Sequence, residues 1–196
     1  KAIDRMTHIL EDLDELTKLE VNELKLEIRP FDIRDLAREV IESFEMKAQE
    51  KGISVRFSKE YNNALMVKAD RGKIAQVFTN LIGNSITYGN DGGETLVRFY
   101  DVDDIVTIEI SDNGPGIDLK HIPRLFERFY RVEKSRNRNE GGSGLGLAIV
   151  KHILDSHNQT ISVRSTVGIG STFTFSLDRF KGGANTLVSS RGIQIK

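Results

Sequence analysis

Residues 76–88 read QVFTNLIGNSITY. Val77, Phe78, Leu81, Ile82 and Ile86 recur at helical spacing and predict an amphipathic helix with its apolar face in a core. Asn80 and Asn84 stand four apart on the same stretch, and Gln76 lies one turn earlier. Together they form a stripe of carboxamides beside the apolar face. Asn weakens a helix because its amide competes for backbone hydrogen bonds, so the stripe needs a reason. A carboxamide oxygen is a neutral, hard donor that suits Mg²⁺, and the amino group can meet phosphate oxygens. Taken alone, the stretch is better read as buried Asn that satisfies neighbouring backbone.

Working outward, Asp70 is placed to cap this helix, and two short strands precede it, ISVRFS (53–58) and ALMVKA (64–69). Further upstream, Asp32 reads as the N-cap of a helix running to Gly52. Asp35 stands at its third helical position, and Phe31 and Leu36 form a hydrophobic staple. Downstream, VRFYDVDDIVTIEIS (97–111) and TISVRSTVGIGSTFTFSL (160–177) alternate about turns and predict two hairpins. A helix from about Gly144 to His157 separates them. Helices and antiparallel strands without a βαβ repeat predict an α+β fold, a two-layer α/β sandwich.

Residues 1–20 carry Ile3, Met6, Leu10, Leu13, Leu16 and Leu19 at intervals of three and four. This is one long amphipathic helix, about 30 Å at 1.5 Å per residue. It needs a partner, either its own domain or the other half of a helical hairpin or dimer bundle upstream. The second reading is favoured because the segment sits outside the compact pattern that follows; Pro30 closes this part. The expected organisation is therefore 1–29 as an incomplete helical unit, 30–178 as the main domain and 179–196 as a loose tail. The chain does not begin with Met and is expected to be a piece of something longer.

The 196 residues are 38% hydrophobic and 29% charged, which supports a packed core. The net charge of −1 does not suggest a nucleic-acid binder. With no cysteine, disulfides and thiolate metal sites are excluded. No apolar run approaches the roughly 18 residues of a membrane span.

Three further segments carry candidate chemistry. DNGPGI (112–117) follows a strand directly, with the Asp112 carboxylate at the strand's end and glycines that let backbone approach a flat ligand, although such sequences are also common turns. GGSGLGLAIV (141–150) opens a helix with glycines, where N–H groups and the helix dipole favour an anion. It is neither a Walker sequence nor a Rossmann fingerprint. Between them, 118–140 is too long for an ordinary connection. Its first part has an apolar face of Ile122, Leu125, Phe126 and Phe129, and its second, VEKSRNRNE, is charged and aperiodic. This predicts a lid anchored by aromatics.

NLIGN, DNGPGI, FERFYR, GGSGLGLAIV and VGIGSTFTFSL, in that order, closely resemble the N, G1, F, G2 and G3 boxes of sensor histidine kinases of two-component systems. The resemblance covers about residues 1–178. It implies a Bergerat-type catalytic domain that binds ATP and Mg²⁺. RMTHILEDLDELTKLE resembles the second helix of the dimerisation and histidine-phosphotransfer hairpin, which implies a homodimer in the full protein. A response regulator receiver domain is the implied partner, with no nucleic acid. The implied location is cytoplasmic, within a membrane-anchored sensor.

By position, the resemblance implies that Asp112 accepts from the adenine amino group, with Gly114, Gly116 and Ile117 bordering the base. Asn80 and Asn84 would face Mg²⁺ and the phosphates, and Tyr88 would lie along the ribose. Gly142, Ser143, Gly144, Leu145 and Gly146 would hold the phosphates. Phe126, Arg128 and Arg131 would anchor and charge the lid, Asn80 and Arg131 acting in catalysis. Gly168 and Gly170 would form a turn near the adenine pocket, with Thr172 a further contact.

Two departures stand out. The family often has Lys where this chain has Thr87, which removes a phosphate-directed cation; Lys134, Arg136 and Arg138 are candidates to compensate. None of the four histidines, His8, His121, His152 and His157, has the phosphoacceptor sequence, so the acceptor is expected upstream. Related Bergerat ATPases carry Glu where Asn80 stands, and Asn cannot accept a proton at neutral pH, which implies transfer rather than hydrolysis. The competing readings are an anti-sigma-type serine kinase and a degenerate nucleotide-binding scaffold.

Overall fold

The computed structural model describes residues 25–61, 63–132 and 143–182. The long amphipathic helix expected over 1–20, the basic run 133–140 and Gly142 lie outside the described residues.

The chain enters through β1 (Ile28–Asp32), a strand that Pro30 had seemed to forbid. It pairs antiparallel with β3 (Met66–Asp70) in a two-stranded sheet, where an edge position tolerates the missing N–H. Asp32 then caps α1 (Ile33–Ser43), accepting from the Arg34 amide at 3.0 Å. The Arg34 guanidinium folds back on the same carboxylate at 2.7 Å and donates to the Tyr61 carbonyl. Burial would raise the Asp32 pKa, but the bonds from Arg34 and from the Leu65 amide hold it below the usual carboxylate range.

The single helix expected to reach Gly52 is interrupted at Phe44, and α2 (Glu45–Glu50) follows. Gly52 does end it, in a left-handed cap with the Ile53 amide returning to the Ala48 carbonyl at 2.9 Å. After β2 (Ser54–Phe57) and β3 comes α3 (Arg71–Tyr88), capped by Asp70 through the Lys73 amide at 3.1 Å. The hairpin of β4 (Glu94–Val102) and β5 (Ile105–Asp112) leads to a 3-10 turn (Leu119–Arg124). Helix α4 (Gly146–Ser156) and the hairpin of β6 (Ile161–Thr166) and β7 (Gly170–Asp178) complete the order.

The main sheet runs β2-β4-β5-β7-β6, parallel only at β2–β4. One face alternates Val97 and Phe99 with Val106, Ile108 and Ile110 and with Phe173, Phe175 and Leu177, all buried. Helices α1, α3 and α4 cover that face through Leu36, Ile74, Phe78, Ile82 and Ile149. The opposite face is polar: Tyr100 and Arg164 bind Glu109, and Arg98 binds Ser111. This is the two-layer α+β sandwich expected.

The packed unit extends past 178. Arg179 bridges to Val67 and pairs with Asp101 at 3.0 Å, and the Phe180 amide donates to the Met66 carbonyl at 2.8 Å. These residues stitch β7 to the small sheet, so the expected loose tail does not begin at Arg179.

Candidate functional site

The carboxamide stripe of α3 faces the start of α4. Asn80 donates Nδ2–H to the Gln76 carbonyl at 3.0 Å, which fixes the amide and turns Oδ1 outward. A Cβ built on Gly146 would stand 2.6 Å from that oxygen. Asn80 Oδ1 therefore lies directly against the first residue of α4. Asn84 lies one turn on, half-buried. Its carboxamide has no hydrogen-bond partner among the described residues.

The glycine segment reaches α4 by a sharp path. Gly144 has φ +78, and a Cβ there would stand 2.9 Å from the Phe129 backbone carbon. The Phe129 amide donates to the Gly144 carbonyl at 3.0 Å, so the segment around Phe129 and the glycine turn are joined through backbone. Leu145 is fully buried, and its amide donates to Ser143 Oγ at 3.2 Å. That amide, expected to hold phosphate, is thus occupied locally. The helix itself begins at Gly146 rather than Gly144.

Asp112 closes β5 on the helix-covered face. Its Oδ1 accepts from the Gly114 amide at 2.9 Å and the Ser171 amide at 3.3 Å. Its Oδ2 has no partner among the described residues. Desolvation raises the Asp112 pKa, and the N–H bonds only partly offset it. A half-buried carboxylate with one oxygen fixed and the other free is a directed acceptor.

The rest of DNGPGI is built against its neighbours. Gly114 stacks on the end of α3, where a Cβ would lie 3.4 Å from Gly89 Cα. Gly116 has φ +68, and a Cβ there would collide with the Thr166 carbonyl. The Ile117 amide donates to Ser165 Oγ at 2.8 Å, and the Gly168 amide to the Pro115 carbonyl at 2.8 Å. The β6–β7 turn with Gly168 and Gly170 thus docks on this loop. Gly116 serves that docking.

Two expectations are corrected. Thr172 sits on the other sheet face and meets Ser111 Oγ at 3.0 Å, because strand alternation puts Ser171, not Thr172, beside Asp112. Phe129 is 57% exposed with φ +61, so it is not part of the buried lid face that Leu125 and Phe126 form. Tyr88 ends α3 at 43% exposure. Arg128 is exposed and Arg131 half-buried on the same segment.

Sequence reasoning missed the polar support beneath Asp112. Thr95, its cross-strand neighbour, is 1% exposed and donates to Ser85 Oγ at 2.9 Å; Ser85 in turn donates to the Ile82 carbonyl. The signal was a polar residue at a core position of β4 and another on the apolar side of α3. Two of the histidines within the described residues hold structure: His121 Nδ1 meets Tyr130 Oη at 2.7 Å. His157 accepts from the Asp70 amide at 3.0 Å and bonds the Ile153 carbonyl at 2.8 Å.

Residues 69–181, more than half of the chain, match the family described as histidine kinase-, DNA gyrase B- and HSP90-like ATPase. The chain belongs to this family. Among its relatives, the phosphate regulon sensor protein PhoR of Pseudomonas aeruginosa is 38% identical over 170 residues, 87% of this chain and 38% of PhoR. The sensor histidine kinase WalK of Bacillus subtilis is 33% identical over 177 residues, 89% of this chain and 28% of WalK. The chain thus spans well under half the length of these relatives.

Full-length ShkA in complex with AMPPNP superposes with a TM-score of 0.80 at 27% identity, covering 92% of this chain and 37% of ShkA. Histidine kinase ThkA in complex with the response regulator TrrA gives 0.72 at 25% identity, covering 91% and 48%. The Bergerat-type sandwich is therefore the fold, and the histidine kinase branch of the family is where the relatives lie.

Proposed function

We propose that this chain is the ATP-binding catalytic portion of a sensor histidine kinase. In this reading it transfers the γ-phosphoryl group of ATP to a histidine on a separate helix, for relay to a response regulator. The observation that carries the reading is the convergence of the Asn80 carboxamide oxygen on Gly146, with Asp112 offering a free oxygen on the same side of the sheet. The kinship with PhoR, WalK and the AMPPNP-bound ShkA supports it.

Asp112 Oδ2 accepts from the adenine amino group and selects adenine over a base with a carbonyl there. Ile117 and Gly114 border the base, and Tyr88 lies along the ribose. The triphosphate runs between the α3 stripe and residues 143–146, with Arg128 and Arg131 contributing charge. The Asn80 and Asn84 carboxamide oxygens fit Mg²⁺, which takes its other ligands from phosphate and water and would neutralise charge on the transferring group. Gly142 also falls to the phosphates in this reading.

Transfer needs an acceptor nitrogen in line with the γ-phosphorus. The nitrogen lone pair forms the N–P bond as the bond to the β,γ-bridging oxygen breaks, and ADP leaves. Asn80 holds no proton-accepting group at neutral pH, so a water in the acceptor's place is not activated and hydrolysis stays slow. None of the four histidines carries the phosphoacceptor sequence, so in this reading the acceptor role belongs to a partner helix of the phosphotransfer hairpin. A homodimer through that hairpin, placed on the cytoplasmic side of a membrane-anchored sensor, completes the assignment. Among the described residues no helix is long and apolar enough to cross a membrane.

The test is calorimetry with Mg-ATP, followed by incubation with γ-labelled ATP. The chain should bind nucleotide, fail to label itself, and label an added hairpin carrying the acceptor histidine. Absence of binding heat, or acid-labile label on this chain alone, would falsify the assignment.

A further inference from the structure

Position 87 lies on the carboxamide stripe of α3, three residues beyond Asn84 and so on nearly the same side as Asn80. Its Thr hydroxyl is not left facing solvent. Lys47 of α2 brings its ammonium to Thr87 Oγ1 at 3.2 Å. Resting on the function proposed above, we propose that Lys47 is a phosphate-binding residue. It supplies from a neighbouring helix the cation that α3 lacks at the end of its stripe.

The placement follows from the break at Phe44. The chain leaves α1 there and restarts as α2 at Glu45. The Phe44 ring lies over Gly83, where a Cβ would stand 3.3 Å from Phe44 Cζ. The Gly in NLIGN thus leaves room for the ring that carries α2 against α3. The Lys47 ammonium sits above that same ring, 5.8 Å from its centroid.

A plainer role would be to complement the negative end of α3, which has no basic residue in its last turn. Lys51 already does this, donating to the Thr87 carbonyl at 2.8 Å. Lys47 differs: it meets a neutral hydroxyl and forms no ion pair among the described residues. An ammonium has three donors, so its remaining N–H groups stay available to an anion. A Lys at 87 would bring two ammonium groups together, so Thr87 and Lys47 form one compatible pair.

The experiment is a cycle of Lys47→Met, Thr87→Lys and the double variant, each titrated with Mg-ATP and with adenosine. Lys and Met have similar helix propensity and Lys47 is exposed, so the fold is retained, as unchanged thermal midpoints will verify. Lys47→Met should weaken Mg-ATP binding about tenfold and leave adenosine within about twofold. Thr87→Lys should gain little beside Lys47, yet restore affinity in the double variant.

Equal Mg-ATP affinity in wild type and Lys47→Met would overturn the inference while leaving the proposed function intact. So would equal losses for ATP and adenosine, or a double variant no tighter than Lys47→Met. A wild type that binds neither ligand would overturn the function itself, and this inference with it.

Discussion

Asn80 Oδ1 and the backbone of Gly146 face each other at a separation that leaves no room for a side chain on the second residue. One residue belongs to α3 and the other to the first turn of α4, so this contact sets how closely the two helices approach. The Asn80 amide is held from behind by the Gln76 carbonyl, which leaves the oxygen directed at α4.

Replacing Gly146 with Ala should separate binding from folding. Gly146 lies in ordinary helical backbone, so Ala gains propensity, and stability should change by less than about 1 kcal/mol. The new methyl group would push the Asn80 carboxamide aside. Mg-ATP affinity, read by calorimetry, should fall while the thermal midpoint holds; an unaltered affinity would show that the carboxamide is not directed at the ligand.

Asp112→Asn should do the same by another route. Asn keeps an oxygen for the Gly114 and Ser171 amides but presents N–H₂ where Oδ2 stood. ATP affinity should drop roughly 30-fold, from about 2 kcal/mol for a lost bond to a charged group. Desolvation raises the Asp112 pKa in the fold, so ionising it costs the folded state free energy. The variant should therefore melt no lower than wild type at neutral pH. ATP binding by wild type should weaken as pH falls through the raised pKa, since the acceptor is the carboxylate. Asp112→Asn should lack that dependence, measured by titration across the acid range.

Acid should also act on the small sheet. Arg34 and Asp32 are nearly buried, with side chains 8% and 12% exposed. The folded pKa of Asp32 is lowered, so its stabilisation is complete above the unfolded value near 4 and is lost as pH falls through the folded value. Asp32→Ala leaves a buried guanidinium unpaired and removes a helix cap. It should cost roughly 3 kcal/mol or more at pH 7, read by denaturant unfolding.

Gly116→Ala and Gly168→Ala should differ although both positions have positive φ. The first drives a methyl group into the Thr166 carbonyl, whereas the second meets nothing within 4 Å. Gly168→Ala should cost about 1–2 kcal/mol of backbone strain, and Gly116→Ala distinctly more. Similar melting temperatures would contradict the docking of DNGPGI on the β6–β7 turn.

What the sequence disclosed depended on whether a signal was local. Asp70, the two hairpins and the α3 stripe were legible because caps and periodicity act within a few residues. Strand β1 was not, because Pro30 reads as a terminator and only pairing with β3 shows it at an edge. The break at Phe44 escaped because Phe and Glu interrupt no helical period; the ring's fit over Gly83 is a contact across elements. Thr172 was misplaced by one residue, and in a strand one residue is the opposite face. Lys47 could not be found at all, since nothing in α2 announces that its ammonium ends beside Thr87.

The alternation of β5 has a further consequence. Val106, Ile108, Ile110 and Asp112 point the same way, so the oily half of the strand and the carboxylate proposed to read the base share one parity. A slip of one residue would expel both together. Under the proposed function, a chain mispaired at this strand could not persist as a stable protein with the wrong ligand preference, because the selecting carboxylate is seated by the same event that closes the sheet.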